Sequence, residues 1–409
     1  MRFSEFNLHP NLLEGIEASN YENATPVQEQ VIPPILDGRD IIASAQTGTG
    51  KTAAFLLPVI HRLLNNHVDG QVGALVIVPT RELAIQISQH LEGLSYFTNL
   101  SSIAIYGGSD GQNFVNEKKA LQMGADIIVC TPGRMIAHLN MGYVHMKGLQ
   151  FLVLDEADRM LDMGFQDDLN KIIKTLPARK QTLLFSATMP PKIRQLARNI
   201  LQDPIEINIA ISRPPEKIVQ RAYVVYEPQK LPLVKYLLKK IPYKSALIFC
   251  SRKQNVKQLA RTLQHSGFAI EEMHSDLEQA QREKVISGFT SGRIPIMVAT
   301  DILSRGIDID TIDLVINFDV PRDGEDYVHR IGRTARAEAD GMAFTLVSEK
   351  EQNSFAAIEE LIGKEVEKAA IPQQLGETPP YNPRRRSGGG GGQRNGPRKK
   401  FFHRRPGQR

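Results

Sequence analysis

The chain contains no tryptophan and only two cysteines in 409 residues. Cys130 and Cys250 each end an apolar run, so we predict buried, reduced thiols rather than a disulfide or a metal site. The ten histidines do not show the spacing of zinc ligands, and we expect no structural metal. A stable fold must therefore come from hydrophobic cores.

Long apolar runs are also missing. No segment approaches the roughly 20 consecutive apolar residues that cross a bilayer as a helix. The first five residues lack the apolar core of a secretory signal. We therefore expect a cytoplasmic protein without membrane contacts.

What the chain does have is an alternation of short apolar runs with amphipathic stretches, repeated in two successive halves. Its length suits two or three domains, and the alternation predicts α/β layers on mostly parallel sheets. The candidate strands are residues 74–78, 103–106, 126–130, 151–154 and 182–185 in the first half, and 222–226, 246–250, 270–274, 296–299, 314–317 and 343–347 in the second.

A stretch with three prolines, residues 203–217, separates the two halves. Proline cannot continue a helix, so this stretch is typical of a hinge-like linker. We predict a first domain over residues 1–207, a linker over residues 208–217 and a second domain over residues 218–371. A cleft should lie between the two domains.

The last segment, residues 372–409, is rich in Pro, Gly and Arg. From Tyr381 onward there are ten Lys or Arg and no Asp or Glu, so the rest of the chain has 40 basic against 45 acidic residues, and this segment alone makes the net charge +5. We predict a disordered basic tail that attracts polyanions in a salt-sensitive way, with Phe401 and Phe402 stacking on unpaired bases. A solubilising extension with incidental charge is the alternative.

A glycine-rich loop stands where an apolar segment, residues 40–44, turns into a helical pattern over residues 53–64. Unpaired N–H groups and the dipole at a helix start favour an anion, and glycines let the backbone approach a phosphate closely. We expect Lys51 to face the outer phosphates of a nucleotide and Thr52 to bind Mg²⁺. The loop comprises Ala45, Gln46, Thr47, Gly48, Thr49, Gly50, Lys51 and Thr52.

Two carboxylates, Asp155 and Glu156, follow a second apolar run at residues 151–154. A continuous apolar run predicts a strand covered on both faces, and open α/β sheets bind ligands at the carboxyl ends of such strands. We expect Asp155 to hold Mg²⁺, partly through water, and Glu156 to orient the attacking water. Together with the loop, these carboxylates predict an ATP site.

The two motifs resemble those of the DEAD-box ATP-dependent RNA helicases of superfamily 2, and the resemblance extends from about Phe3 to Val347. Alanine is usual in that family at the position of Ala45, where the general phosphate loop has glycine. The resemblance implies an α/β fold of two tandem RecA-like domains, an RNA-stimulated ATPase, and ATP and Mg²⁺ as cofactors. The short basic tail is most similar to that of the bacterial RhlE type.

The segment before the loop resembles the adenine-reading segment of the family. The amide of Gln28 can pair with adenine, Tyr21 can stack on its face, and Phe3 is the upstream aromatic residue. Asn20 stands where the family usually has glycine, and Ala24 where it usually has proline. We expect Phe3, Tyr21 and Gln28 to contact the base.

The octapeptide at residues 329–336 resembles the arginine-finger motif of the family. If the segment is helical, Arg333 and Arg336 lie on one face, where they can stabilise charge on a transferring phosphoryl group. Ala335 replaces the usual glycine between them, and Asp308 matches the ribose contact of the family. Because the phosphate loop lies in the first domain, we expect hydrolysis to require domain closure.

A Ser-Ala-Thr sequence ends another first-domain strand and matches the family motif that couples the phosphate site to unwinding. We expect the hydroxyls of Ser186 and Thr188 to bridge either to Asp158 or to the second domain. Ordinary capping of a strand end is the alternative.

The resemblance also implies contacts to RNA from both domains, by residues that read sugar and phosphate. Strand-to-helix junctions suit this role because helix N-termini and arginines hold phosphates, and glycines permit close approach. The residues are Pro79, Thr80, Arg81, Gly107, Gly108, Thr131, Pro132, Gly133 and Arg134 in the first domain, and Arg252, Gln279, Arg282, Thr300 and Asp301 in the second.

These patterns predict an ATP-dependent RNA helicase that locally unwinds short duplexes or remodels RNA–protein complexes. We expect a monomer whose partners, besides RNA, belong to ribosome biogenesis or RNA decay. An ATP-controlled RNA clamp or an annealing and assembly factor is the alternative. A DNA translocase is a further alternative, which the complete series of motifs disfavours.

Overall fold

The structure is a computed structural model, and it describes residues 1–44, 49–66, 68, 70–108, 111–208, 218–300, 312–321, 324–334 and 341–383. Predictions for residues 45–48, Asp301, Asp308 and Arg336, and for the side chain of Gln279, lie outside the described residues. The same holds for most of the predicted linker.

Seven parallel strands form the first sheet, in the order β3-β4-β2-β5-β6-β1-β7. Most are short and fully buried, as expected for strands covered by helices on both faces. They are β1 (Ile41–Ser44), β2 (Ala74–Ile77), β3 (Ser102–Ile105), β4 (Ile127–Cys130), β5 (Phe151–Leu154), β6 (Gln181–Ser186) and β7 (Ile205–Asn208).

Nine helices belong to the described part of this domain, and several begin at residues that favour helix starts. Proline occupies a first-turn position in α1, α2 and α6, and the Thr80 hydroxyl caps α4 by accepting from Leu83 N. The helices are α1 (Pro10–Ala18), α2 (Pro26–Leu36), α3 (Lys51–Asn65), α4 (Arg81–Leu94), α5 (Gly111–Met123), α6 (Pro132–Asn140), α7 (Ala157–Asp162), α8 (Gln166–Lys174) and α9 (Pro191–Ile200).

The first sheet has a hydrophobic core on each face. Alternate residues of β5 face opposite sides, because side chains in a strand alternate. Phe151 and Val153 pack with α1–α4, whereas Leu152 and Leu154 pack with α6–α9. This burial on both faces leaves only the strand ends for function.

The second sheet repeats the arrangement, with seven parallel strands in the order β10-β11-β9-β12-β13-β8-β14. Its strands are β8 (Ile218–Val224), β9 (Ala246–Phe249), β10 (Ile270–Met273), β11 (Ile296–Ala299), β12 (Leu314–Asn317), β13 (Gly341–Val347) and β14 (Glu367–Lys368). Its helices in the described residues are α10 (Lys230–Lys240), α11 (Lys253–Gln264), α12 (Gln279–Thr290), α13 (Gly324–Ile331) and α14 (Gln352–Ile362).

The α/β fold with mostly parallel sheets is confirmed, and the predicted strands 151–154, 296–299 and 314–317 have the bounds of β5, β11 and β12. The sequence did not predict β7 or β14. Ile205 and Asn208 of β7 pair with Ile41 and Ser44 of β1, so the first domain extends through Asn208 and the linker prediction is wrong at that residue. The strand β7 lies at the edge of the sheet and contains the exposed Glu206. Because it lacks the continuous apolar run of a central strand, the sequence pattern did not predict it.

Residues 372–383 pack against the second domain. The Tyr381 hydroxyl donates to Glu359 Oε2 (2.7 Å), and its ring meets that of Phe355 edge-on, with the centroids 6.5 Å apart. Gln352 Nε2 donates to the carbonyl of Pro380 (2.8 Å). The segment therefore has a fixed path over α14.

The prediction of disorder from residue 372 is accordingly wrong for residues 372–383. Composition averaged over the whole tail concealed one aromatic ring and several backbone groups that find partners on α14. Residues 384–409, which carry all ten cations of the tail, lie outside the described residues.

Both cysteines are buried and free, as predicted. Burial in the core raises the pKa of the Cys130 thiol well above its usual range, so this thiol is inert at neutral pH. No helix within the described ranges is long and apolar enough to cross a membrane.

Candidate nucleotide and RNA site

Parallel pairing brings the predicted motifs of the first domain to one edge of its sheet. In the first sheet, β1, β5 and β6 lead into the phosphate loop, the paired carboxylates and the Ser-Ala-Thr motif, and these strands are neighbours. The adjacent strands β2, β4 and β3 lead into the segments with the predicted RNA residues. The edge therefore has a nucleotide half and an RNA half.

Lys51 begins α3 directly after the glycine-rich loop. Its side chain is only 5% exposed, and within the described residues no group accepts a hydrogen bond from its ammonium. A buried ammonium without a partner is costly unless a ligand supplies the acceptor. This arrangement fits an anion such as a nucleotide phosphate.

Thr25 and Gln28 hold the described end of the loop. The Thr25 hydroxyl donates to the carbonyl of Thr49 (2.9 Å), and Gln28 Nε2 donates to that of Gly50 (3.1 Å). Gln28 Oε1 also accepts from Thr25 N (2.8 Å), in a capping box that starts α2. Each amide atom of Gln28 keeps the capacity for one more hydrogen bond, so binding of a base remains open to it.

Two aromatic rings lie beside Thr25 and Gln28. The rings of Phe3 and Tyr21 stack with their centroids 6.1 Å apart. Phe3 is 3% exposed and belongs to the core, which leaves the partly exposed Tyr21 as the ring available to a base. Asn20, at the usual glycine position, has φ +57°, a left-handed conformation that asparagine tolerates better than most residues.

The paired carboxylates follow β5 as predicted. Asp155 is buried, and burial raises the pKa of its carboxyl, although the nearby Lys51 ammonium opposes this shift. Asp155 Oδ1 accepts from Glu156 N (2.9 Å). Glu156 has φ +51°, a strained left-handed conformation of the kind that is kept at functional sites. The two side chains offer the hard oxygen ligands that Mg²⁺ prefers.

Asp158, Ser186 and Thr188 form one hydrogen-bonded unit between β5 and β6. Asp158 Oδ2 accepts from both the N–H and the hydroxyl of Thr188, each at 3.0 Å. Asp158 N in turn donates to the Ser186 hydroxyl (3.2 Å), which donates to the carbonyl of Thr188 (2.7 Å). Of the two expected bridges, the structure contains the one to Asp158.

Arg330 of the octapeptide is fully buried. Its Nη1 donates to Asn317 Oδ1 (3.1 Å) and to the carbonyl of Asp319 (3.0 Å), and the guanidinium lies over the ring of Phe249. Arg330 thus fixes the end of α13 to the ends of β9 and β12. The sequence prediction named only Arg333 and Arg336 as fingers and gave Arg330 no role.

Arg333 lies outside the helix that contains the first part of the octapeptide. The helix α13 ends at Ile331, and the carbonyl of Arg333 accepts from Ile312 N (3.1 Å) instead of continuing the helix. Arg333 lies in a turn at the amino-terminal ends of β12 and β13, because the next residue, Thr334, contacts Asp313 before β12 and Gly341 at the start of β13. Its predicted partners Asp308 and Arg336 are outside the described residues.

The two RNA-site arginines of the first domain are each held by a ring and a carboxylate. Arg81 lies 4.7 Å from the ring centroid of Tyr106, and its Nη2 donates to Glu283 Oε1 of the second domain (2.7 Å). Arg134 lies 4.6 Å from the ring centroid of Phe114, and its Nε donates to Glu117 (2.8 Å).

The other RNA-site residues of the first domain surround these arginines at strand-to-helix junctions. Thr80 and Thr131 stand at the N-caps of α4 and α6, with Pro79 before the first and Pro132 at the start of the second. Among the described residues, the exposed Gly107, Gly108 and Gly133 have no neighbour close enough to block the backbone, apart from ordinary contact of Gly108 with Arg81. Such backbone is open to a phosphate.

In the second domain, the described RNA-site residues follow the adjacent strands β9, β10 and β11. Arg252 is exposed at the start of α11, and Arg282 Nη2 donates to the carbonyl of Ser275 (2.8 Å). Arg282 Nε and the Thr300 hydroxyl are buried without a hydrogen-bond partner among the described residues, as is Arg81 Nε in the first domain. A bound phosphate or ribose would supply the missing acceptors.

Sequence reasoning missed Thr25, Phe114, Glu117 and His138. The capping box of Thr25 and Gln28 was a local signal that could have identified Thr25. The other three lie on α5 and α6, about 20 residues apart in sequence, and no local pattern links them.

Predicted nucleotide motifs after three neighbouring strands, with predicted RNA residues after the next three, are the arrangement expected of a two-domain, ATP-dependent nucleic-acid helicase. Residues 25–196 match the DEAD/DEAH box helicase model, and residues 229–338 match the helicase conserved C-terminal domain. Given these matches and the relatives below, the chain belongs to the DEAD-box family of ATP-dependent RNA helicases.

Curated relatives and solved structures agree. The ATP-dependent RNA helicase CshA of Listeria monocytogenes is 42% identical over 372 residues, which cover 91% of this chain and 71% of the relative. RhpA of Helicobacter pylori is 40% identical over 90% of this chain and 74% of its own length. S. cerevisiae Dbp5 bound to RNA and ADP BeF3 is 31% identical, covers 90% of this chain and 95% of its own, and superposes with a TM-score of 0.79. Assignment to the RhlE type stays a prediction.

We predict that Gly50→Ala weakens nucleotide binding about tenfold or more. Gly50 has φ +91°, and a Cβ there would lie 2.6 Å from Gln28 Nε2, which is pinned by its hydrogen bonds. Titration with a fluorescent ADP analogue measures the loss. Gly70→Ala is the matched control, because Gly70 also has a positive φ (+71°) but nothing lies within 4 Å of its Cβ position. Equal nucleotide affinity of the Gly50 variant and the wild type would contradict the inference that Thr25 and Gln28 hold the phosphate loop.

Proposed function

We propose that this protein hydrolyses ATP when RNA binds, and that the cycle separates short RNA duplexes locally or remodels RNA–protein complexes. The strand order of the first sheet carries the proposal, because it sets the nucleotide half of the edge directly beside the RNA half. The solved Dbp5 structure with RNA and ADP BeF3 supports the same pair of ligands.

In this proposal Lys51 and the preceding loop hold the triphosphate of ATP, and Thr52 and Asp155 hold Mg²⁺, partly through water. When bound, Mg²⁺ would neutralise charge on the phosphates. Glu156 orients the attacking water from its left-handed backbone position at the start of α7. Tyr21 and Gln28 face the adenine, with Phe3 packed behind Tyr21.

The second domain completes the site. Arg333 and Arg336 stabilise charge on the transferring phosphoryl group, and Asp308 contacts the ribose. Support for all three residues comes from the family motifs, which lie within the match to the helicase conserved C-terminal domain over residues 229–338. Hydrolysis then requires the two sheet edges to approach each other.

Coupling between ATP and RNA runs through Asp158 and Thr188. Asp158 follows Glu156 by two residues, and its carboxylate holds the segment after β6 through Thr188. A shift of the Glu156 backbone on hydrolysis would therefore move the segment after β6. This unit is short and made of side-chain hydrogen bonds, so it responds to small displacements.

An ATP-controlled RNA clamp, or an annealing and assembly factor, would use the same site without separating strands. A DNA translocase would need DNA to stimulate hydrolysis as RNA does. The RNA in the solved relatives favours RNA for this chain. The cytoplasm, a monomeric state and partners in ribosome biogenesis or RNA decay are part of our proposal.

We predict that single-stranded RNA strongly stimulates steady-state ATP hydrolysis and that DNA of the same sequence does not. Lys51→Ala should lower RNA-stimulated hydrolysis about a hundredfold or more, because the phosphate loses its buried cation. A coupled assay with RNA, DNA or neither makes the comparison. Equal stimulation by DNA would point to a translocase, and high activity without nucleic acid would contradict the coupling.

Glu156→Gln should lower hydrolysis about a hundredfold while the protein still binds ATP and RNA. The amide keeps the size of the side chain but cannot act as a base, so the protein should stay closed on RNA. We expect labelled RNA to dissociate much more slowly with ATP than with ADP. Rapid release of RNA in ATP would show that Glu156 has another role.

We predict that removing residues 384–409 weakens RNA binding and flattens its salt dependence, because every engaged cation contributes about 0.7 to the log–log slope. This truncation keeps Tyr381, whereas one that starts at Tyr381 would also remove the contact to Glu359. A full-length variant with the ten cations changed to glutamine controls for tail length. An unchanged slope in both variants would refute an electrostatic role of the tail.

A further inference from the structure

The segment from the end of β3 into α5 carries both rings that contact the RNA-site arginines. Tyr106 follows β3 directly and lies under Arg81, and Phe114 lies in the first turn of α5 under Arg134. A guanidinium over a ring keeps its plane and position through the attraction between cation and π-face. Two separate arginines are thus supported by one short stretch of chain.

Glu117 adds a fixed charge to the second of these contacts. It stands one helical turn after Phe114, is 5% exposed, and accepts from Arg134 Nε (2.8 Å). Glutamate is almost never buried unless it is paired. Its negative charge therefore holds the guanidinium of Arg134 in one place on the ring.

His138 of α6 closes the network. Its Nε2 lies 2.7 Å from Glu117 Oε2, and its Nδ1 contacts the hydroxyl of Tyr143. Because a carboxylate only accepts, Nε2 carries the proton toward Glu117. The His138 ring also stacks on Phe114, with centroids 4.4 Å apart and planes at 12°. Phe114 is held between His138 and Arg134.

We propose that Tyr106, Phe114 and Glu117 are positioning residues that set the two arginines for RNA phosphates. The inference rests on the proposed function, since it assigns these side chains to the same RNA site. If these contacts served only to join α5 to α6, there would be no need for a ring beneath Arg81 of α4 as well as one beneath Arg134 of α6. The first domain would bring Arg134 to RNA held by both Phe114 and Glu117, and Arg81 supported by the ring of Tyr106, which lowers the entropy lost on binding.

The test measures RNA affinity with a fluorescein-labelled poly(U) oligonucleotide, and also the RNA concentration that half-saturates ATP hydrolysis. Phe114→Leu and Tyr106→Leu remove a ring but keep an apolar side chain, and Glu117→Gln removes the charge. Each should raise the dissociation constant and the half-saturating RNA concentration about five- to tenfold. The rate at saturating RNA should change less than the half-saturating concentration.

Two controls separate positioning from folding. Phe114→Tyr keeps the ring and should bind RNA like the wild type, and Glu92→Gln changes an exposed glutamate of α4 and should have no effect. In an Arg134→Ala background, Phe114→Leu should cause no further loss, because the group it positions is gone. Additive losses, or a lower melting temperature with unchanged RNA affinity, would overturn the proposal.

The outcomes also separate this inference from the proposed function. If RNA does not stimulate the wild-type ATPase, the proposed function fails before any variant is compared. If RNA stimulates the wild type and the leucine variants equally at every RNA concentration, only the positioning role fails.

Discussion

The function of this chain depends on the parallel pairing of its strands. Parallel order brings every strand-to-helix junction to one edge of the sheet, while helices cover both faces. Strand order then divides that edge in the first sheet, with the predicted RNA residues after β3, β4 and β2 and the predicted nucleotide motifs after β5, β6 and β1. In the second sheet, the described residues predicted to contact RNA likewise follow the adjacent strands β10, β11 and β9.

This edge of the first sheet contains buried charged groups, and their removal from water opposes folding. Lys51, Asp155, Glu156 and Asp158 are all at most 5% exposed, although charged groups strongly prefer water. The ammonium of Lys51 finds no acceptor among the described residues, and burial opposes the charged form of Asp155. The surrounding apolar strands supply the stability that keeps these groups in place. A bound nucleotide with its metal would relieve the strain, so ligand binding should stabilise the first domain.

The sequence predicted the central strands and the nucleotide motifs well, because each is a local pattern: an apolar run followed by a loop with special residues. The edge strands β7 and β14 were not predicted. In β7 apolar and polar residues alternate, and β14 has only two residues, so neither contains a continuous apolar run. The structural role of Arg330 was not predicted, because its partners Phe249, Asn317 and Asp319 come together only in the folded domain. The contacts of Phe114, Glu117 and His138 join two helices and only tertiary structure shows them.

The two RNA-site arginines differ in what holds them. Arg134 pairs with Glu117 of its own domain, so its environment stays the same when the domains move apart. Arg81 pairs with Glu283 of the second domain, and this contact exists only while the domains are close. A partly exposed pair of this kind contributes about 0–1 kcal/mol, too little to hold the domains together. On the proposed function, an RNA phosphate and Glu283 would compete for the guanidinium of Arg81. Binding of RNA at Arg81 would then be linked to domain position, whereas Arg134 would offer the same contact in every arrangement.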